Sequence, residues 1–213
     1  MDLAVMYKEA RKNGWSSSIG TLAELSWMTR AQGWTAIKQR SDDTTPETVL
    51  RPLSAEDAHP ASMSATYGLG AQPLHTDGAH TPEPPDLIVL MGEAPSSTPT
   101  YLFKDVTYDT TPKGIYSGVF RVDAGKDTFL TTALSRGRMR YDPGCMTPLD
   151  ARAREVSRYF EEQLANAHPF SWDTENLVLL IDNKRALHAR GSVAAGDEGR
   201  SLTRLAYRVE KTS

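Results

Sequence analysis

Residues 72–86 read QPLHTDGAHTPEPPD and bring two of the chain's five histidines, His75 and His80, together with Asp77. If this stretch is extended, His75 and Asp77 stand two residues apart and project from the same face. An imidazole and a carboxylate so placed can share one metal ion, and a third ligand must then come from a distant element. The segment IDNKRALHARGS (181–192) offers His188 directly after an apolar run. Two histidines and one carboxylate on one face of Fe(II) leave the opposite positions open for a chelating co-substrate and O₂. His80 lies five residues from His75, on the opposite face of a continued strand or in the proline-rich turn, and reads as a bystander.

A chelating keto acid also needs its far carboxylate held, and the planar fork of arginine matches a carboxylate best. Twelve residues after His188, GRSLTRLAYR carries Arg200 and Arg204. Their four-residue spacing puts both on one face of a strand that starts by Arg200. Arg190 either lines the same site or pairs with a carboxylate, and the second reading is preferred. Asn183 is read as a cap on the strand-to-loop turn, and His59 and His168, each before a proline, as loop residues. Cys145 has no basic neighbour that would activate a thiolate and reads as structural. GLGAQP (68–73) lacks the third glycine and following helix of a nucleotide loop.

The elements that must position these residues are legible in outline. GTLAELSWMTRAQG predicts a helix: Thr21 and Glu24 form a capping box, Leu22, Leu25 and Met28 share a face, and Gly33 lies just past its end. PLDARAREVSRYFEEQLANAHP predicts a second helix with Val156, Phe160 and Leu164 at four-residue spacing, ended by Pro169. DLIVLM (86–91) and ENLVLLID (175–182) read as strands buried on both faces. WTAIKQR, TYLFKDVTY and RLAYRVE read as strands, the last two half-buried by their alternation, and SDDTTPETVLRPLSAEDAHPAS (41–62) as surface loop. Helices and strands do not alternate regularly, so a mainly β domain with supporting helices is expected rather than a doubly wound parallel sheet.

Composition bounds the function classes. The chain has 213 residues, a formal net charge of −3 and one cysteine. That length predicts a single domain. No Lys/Arg-rich run marks a nucleic-acid footprint, and no apolar stretch predicts a membrane span or signal peptide. A lone cysteine excludes an internal disulfide framework and a cysteine-rich zinc site. A cytoplasmic, soluble protein is expected.

Three segments, in order, resemble the Fe(II)/2-oxoglutarate-dependent dioxygenases of the taurine dioxygenase and clavaminate synthase type. PLHTDGAH followed by PPDLIVL is similar to that family's first metal motif, His-x-Asp or His-x-Glu before a Pro-Pro and a buried strand. LLIDNKRALHARG resembles its second, and DEGRSLTRLAYR its closing arginine pattern; together they span roughly residues 60–210. The resemblance implies that His75, Asp77 and His188 are iron ligands and that Arg200 grips the C5 carboxylate of 2-oxoglutarate. It implies that Arg204 meets a substrate anion or supports the co-substrate. Thr100, in SSTPTYLF, is the best match to a threonine that touches 2-oxoglutarate, although the glycines that usually precede it are absent.

The resemblance further implies a double-stranded β-helix (jelly roll). It also implies oxidative decarboxylation of 2-oxoglutarate to succinate coupled to hydroxylation, desaturation or cyclisation at an unactivated C–H bond of a small molecule, an amino acid or biosynthetic intermediate. Related halogenases have a small residue where Asp77 stands, so halogenation is disfavoured. The expected organisation is one jelly-roll domain over 1–213, with an N-terminal helical extension and a lid shortened to about 107–148. A less covered site would admit a larger or carrier-bound substrate, or be completed by a second subunit in a homo-oligomer. Two alternatives stay open: a non-catalytic metal- or keto-acid-binding protein on the same scaffold, and a zinc hydrolase using two histidines and a carboxylate.

Overall fold

The computed structural model describes residues 1–38, 43–60, 62–104 and 111–209. Helix α1 (Leu3–Asn13) leads into β1 (Trp15–Ile19), α2 (Leu22–Ala31), β2 (Trp34–Ile37), β3 (Thr48–Leu50) and α3 (Met63–Tyr67). After the histidine-bearing turn come β4 (Leu87–Gly92) and β5 (Ser96–Phe103). Short strands β6 (Phe120–Asp123), β7 (Thr128–Thr131), β8 (Leu134–Ser135), β9 (Arg138–Met139) and β10 (Met146–Pro148) precede α4 (Ala151–Gln163). The chain then runs through β11 (His168–Trp172), β12 (Leu177–Asp182), β13 (Leu187–Arg190) and β14 (Leu202–Val209).

The two apolar runs form the middle of the main sheet, whose order is β1-β12-β4-β14-β2, with β3 also pairing β14. Every residue of β4 and β12 is buried. Such runs are usual in parallel sheets, yet these strands are antiparallel. Both faces are covered for a local reason. Leu87, Val89, Met91, Val178 and Leu180 pack under α1 and α2 through Leu3, Met6, Ala10 and Leu25. On the other face Ile88, Leu90, Leu179 and Ile181 meet Leu102 and Trp172 of the smaller sheet, β11-β5-β13. Two facing antiparallel sheets around this layer make the expected jelly roll.

The N-terminal elements belong to the sheet, since β1 pairs with β12 over Trp15–Ile19. Helix α2 is held by the expected capping box, both halves of which are made. Helix α4 is capped by Asp150 and buries Val156 and Phe160. Its end differs from expectation. The helix closes in a short 3₁₀ turn, Leu164–Asn166, and Pro169 lies inside β11. That strand is at the sheet edge, where a missing N–H breaks no ladder bond. His168 is therefore a strand residue, stacked on Trp15 at 5.8 Å between ring centroids. The polar stretch 41–62 likewise contains β3. Positions 39–42, 61, 105–110 and 210–213 lie outside the described residues, including the first positions of the expected lid and parts of the stretches 34–40, 41–62, 100–108 and 204–210. Among the described residues, no helix is long and apolar enough to cross a membrane.

Candidate metal centre

The segment before β4 runs against β13, with Gln72 N–H donating to the Arg190 carbonyl and one bridge formed at the start of that strand. His75 and His188 form an isolated antiparallel bridge, each backbone N–H donating to the other's carbonyl at 2.9 Å. Antiparallel partners carry their side chains on the same face, so the two imidazoles meet, with ring centroids 4.5 Å apart. Thr76 turns the other way and bonds Tyr141 through both backbone and hydroxyl. Asp77 returns to the histidine face, its Oδ1 3.7 Å from His75 Nε2 and 3.8 Å from His188 Nε2. The period-two spacing of His75 and Asp77 thus operates as expected. One ligand atom from each of the three residues lies within 4.8 Å of the others, and all three residues are buried.

The donor set fits a divalent metal. His75 Nδ1 lies 3.0 Å from the carbonyl of Pro73. That oxygen can only accept, so Nδ1 carries the proton and Nε2 presents its lone pair to the cluster. Burial, reinforced by the His75 ring, drives the His188 pKa down to about 3, leaving its imidazole neutral and able to ligate. Burial pushes the Asp77 carboxyl up, but Arg204 above all, with the neighbouring histidines, more than offsets it and holds the acid below its ordinary value. Arg204 Nη1 sits 3.3 and 3.4 Å from the two Asp77 oxygens.

A cavity of about 360 Å³ opens over this cluster. Arg200 and Arg204 both line it, although β14 begins only at Leu202 and Arg200 precedes the strand. Arg200 is held by donating to the carbonyl of Thr98 at 3.0 Å. Thr98 itself is fixed by Asp197, which accepts from its N–H and hydroxyl. Thr100, on β5, also lines the cavity; its hydroxyl oxygen accepts from Trp172 Nε1 at 3.0 Å, leaving the hydroxyl proton to donate. His80 reaches the cavity wall but is not part of the three-ligand cluster.

Two expectations are corrected. Arg190 pairs with no carboxylate among the described residues; it donates to the carbonyls of Gly68 and Gly70, tying GLGAQP to the wall of the cavity. Asn183 does not cap its own turn, which Asp182 closes by accepting from the N–H groups of Lys184, Arg185 and Ala186; its side chain bonds the backbone of Asp77, 106 residues away. Arg138 and Arg140 are a further pair that the sequence did not mark. Arg138 donates to Pro84 and Pro85 carbonyls, and Arg140 to those of Ala79, Thr81 and Pro82, so these two side chains hold much of the proline-rich turn, with Arg208 on the Glu83 carbonyl. The available signal was their alternation along one short stretch. Cys145 is partly buried, and burial and Asp142 push its thiol well up, as befits a structural residue.

No protein-family model matches the chain, and no curated protein matches it. Its fold is similar to solved structures. An asparagine oxygenase in complex with Fe(II), 2S,3S-3-hydroxyasparagine and succinate superposes with a TM-score of 0.73 at 15% identity, over 96% of this chain and 77% of that one. The non-heme iron oxygenase OrfP in complex with Fe and alpha-ketoglutaric acid gives 0.71 at 17% identity, over 98% and 79%. A mutant of OrfP in complex with (3S)-hydroxy-L-Arg gives 0.72 at 16% identity, over 98% and 80%.

Proposed function

We propose that this chain is an Fe(II)- and 2-oxoglutarate-dependent oxygenase that hydroxylates an unactivated C–H bond of a small molecule of the amino-acid class. The observation that carries the reading is the buried cluster of His75, Asp77 and His188 beneath a cavity lined by Arg200 and Arg204. Two histidines and a carboxylate form the ligand set that leaves positions open on Fe(II) for a chelating acid and O₂. The iron, when bound, would supply the oxidising chemistry. His75 and His188 present Nε2, His188 as a neutral imidazole, and Asp77, held below its ordinary value, stays ionised and lowers the net charge of the site. Arg200 offers a fork to the C5 carboxylate of 2-oxoglutarate, with the Thr100 hydroxyl as a second donor, and Arg204 meets the anionic group of the substrate. The fold likeness to oxygenases whose structures hold hydroxylated asparagine and arginine supports the substrate class. The site is read as acting on a free or carrier-bound small molecule, within a single domain whose lid spans about 107–148.

A zinc hydrolase has no use for a paired-arginine clamp facing the metal ligands, and a binding-only relative has no need to keep ligands and clamp together. The direct test incubates purified protein with Fe(II), ascorbate, O₂ and 2-oxoglutarate against a panel of amino acids. Succinate release, a 16-Da product gain with one panel member, and loss of both in Asp77→Ala are expected. Tight Zn²⁺ binding with no succinate under any substrate would overturn the reading.

A further inference from the structure

Of the three metal-binding candidates, Asp77 is the one whose backbone belongs to no ladder. His75 and His188 are paired with each other, whereas Asp77 opens a turn and is followed by Gly78 at φ +69°. Both polar groups of the Asp77 main chain turn instead to Asn183. Its Oδ1 accepts from the Asp77 N–H at 2.9 Å, and its Nδ2 donates to the Asp77 carbonyl at 3.0 Å. The remaining Nδ2 proton goes to the carbonyl of Pro85, also at 3.0 Å. Asn183 is only 1% exposed, and its own N–H is fixed on the carbonyl of Asp86 at 3.0 Å. The amide orientation is determined, because a flip would set NH₂ against the Asp77 N–H and oxygen against two carbonyls.

We propose that Asn183 is a positioning residue for the metal centre, holding the Asp77 main chain at both ends so that its carboxylate converges on His75 and His188. The role is more specific than filling a buried polar vacancy. Asn183 stands in the turn that leads from β12 to His188, so one side chain ties the carboxylate half of the centre to the element carrying the distal histidine. Metal ligation tolerates displacements of only about 0.2 Å, and removing partners that orient ligands typically weakens metal affinity on the order of 10–100-fold. The proposal rests on the metal centre described above but not on turnover.

The test titrates Co(II), monitored by its d–d absorption, into the purified full chain without 2-oxoglutarate. Asn183→Ala removes all three bonds. Asn183→Asp preserves the size and the acceptor for the Asp77 N–H but sets acceptors against the carbonyls of Asp77 and Pro85. Leu25→Ala, in the layer between α2 and the far side of the main sheet, supplies a destabilised control remote from the metal. Co(II) affinity is expected to fall on the order of 10–100-fold in both Asn183 variants, with an altered d–d spectrum, while Leu25→Ala keeps parental affinity and spectrum at a comparable or lower Tm. Parental affinity in the Asn183 variants, or a loss no greater than in Leu25→Ala, would overturn the proposal. Failure of both Asn183 variants to fold would also overturn it, making Asn183 a folding residue. A parent chain that binds no Co(II) would remove the metal centre and this role together. Normal Co(II) binding with the expected Asn183 dependence, but no succinate from 2-oxoglutarate, would sink the proposed activity alone.

Discussion

His75 and His188 are bound to each other through their main chains before any metal is considered, each N–H donating to the other's carbonyl at 2.9 Å. Two imidazoles held by backbone need no metal to bring them together. The centre is accordingly preorganised, and its affinity depends on residues that hold main chain as well as on those that donate to the ion.

Arg200 is expected to set the affinity for the keto acid. Arg200→Ala should raise the KM for 2-oxoglutarate on the order of ten- to a hundredfold, the worth of a charge-assisted hydrogen-bond pair. Arg200→Lys should fall between, because a point charge replaces a fork. Steady-state succinate release at varied 2-oxoglutarate checks both. An unchanged KM in the alanine variant would remove Arg200 from the clamp.

Gly78 sits where a side chain has no room. At φ +69°, a Cβ there would lie 2.7 Å from Pro85 Cδ. Gly78→Ala should destabilise the protein by about 1–3 kcal/mol through backbone strain and weaken Co(II) binding by displacing Asp77. Thermal melts with and without Co(II) should show a lower Tm and a smaller metal-induced rise than in the parent.

Asp86 predicts the acid limb of stability. Burial pushes its carboxyl up, but Lys184, the Val209 N–H and Arg138 together hold it below the ordinary carboxylate value. The folded pKa being depressed, the stabilisation is present above the unfolded value near about 4 and is lost as pH falls through the folded value. Asp86→Asn should lower stability at pH 7 and flatten its decline between about pH 5 and 3, as read by urea midpoints across pH. Parallel pH curves for variant and parent would refute the assignment.

Phe160 links α4 to the centre at one remove. It is 1% exposed and packs against Tyr141 at 4.6 Å between centroids, and the backbone of Tyr141 bonds Thr76. Phe160→Ala should cost about 3–5 kcal/mol, measured by chemical denaturation, and should speed exchange of the Thr76 amide. A stability loss without faster exchange there would show that the helix is not coupled to the ligand segment.

Much of this was readable from residue order. His75 and Asp77 carry their spacing in the sequence, β4 and β12 announce themselves as uninterrupted apolar runs, and α2 states its capping box. The arginines at 200 and 204 were placed by their distance from His188. What escaped was long-range hydrogen bonding by side chains to main chain. Asn183, Arg138, Arg140 and Arg190 all donate to carbonyls, and a carbonyl has no residue type. No local pattern distinguishes an arginine that will grip Pro82 or Gly70 from one that will meet a carboxylate. His168 shows a different limit, since a proline neighbour excludes a central strand but not an edge one.

The main sheet also dictates when the centre can form. Strand β4 follows the histidine turn directly, but both its neighbours, β12 and β14, are drawn from residues 177–209. Until those distant segments arrive, β4 has two open edges, and His75 has no His188 to pair with. Non-local pairing of this kind forms slowly, so the ligand set is expected to be assembled late on the folding route. A metal that recognises the finished centre would then leave the refolding rate almost untouched and act by slowing unfolding. The ion would be a lock on a completed chain rather than a template for it.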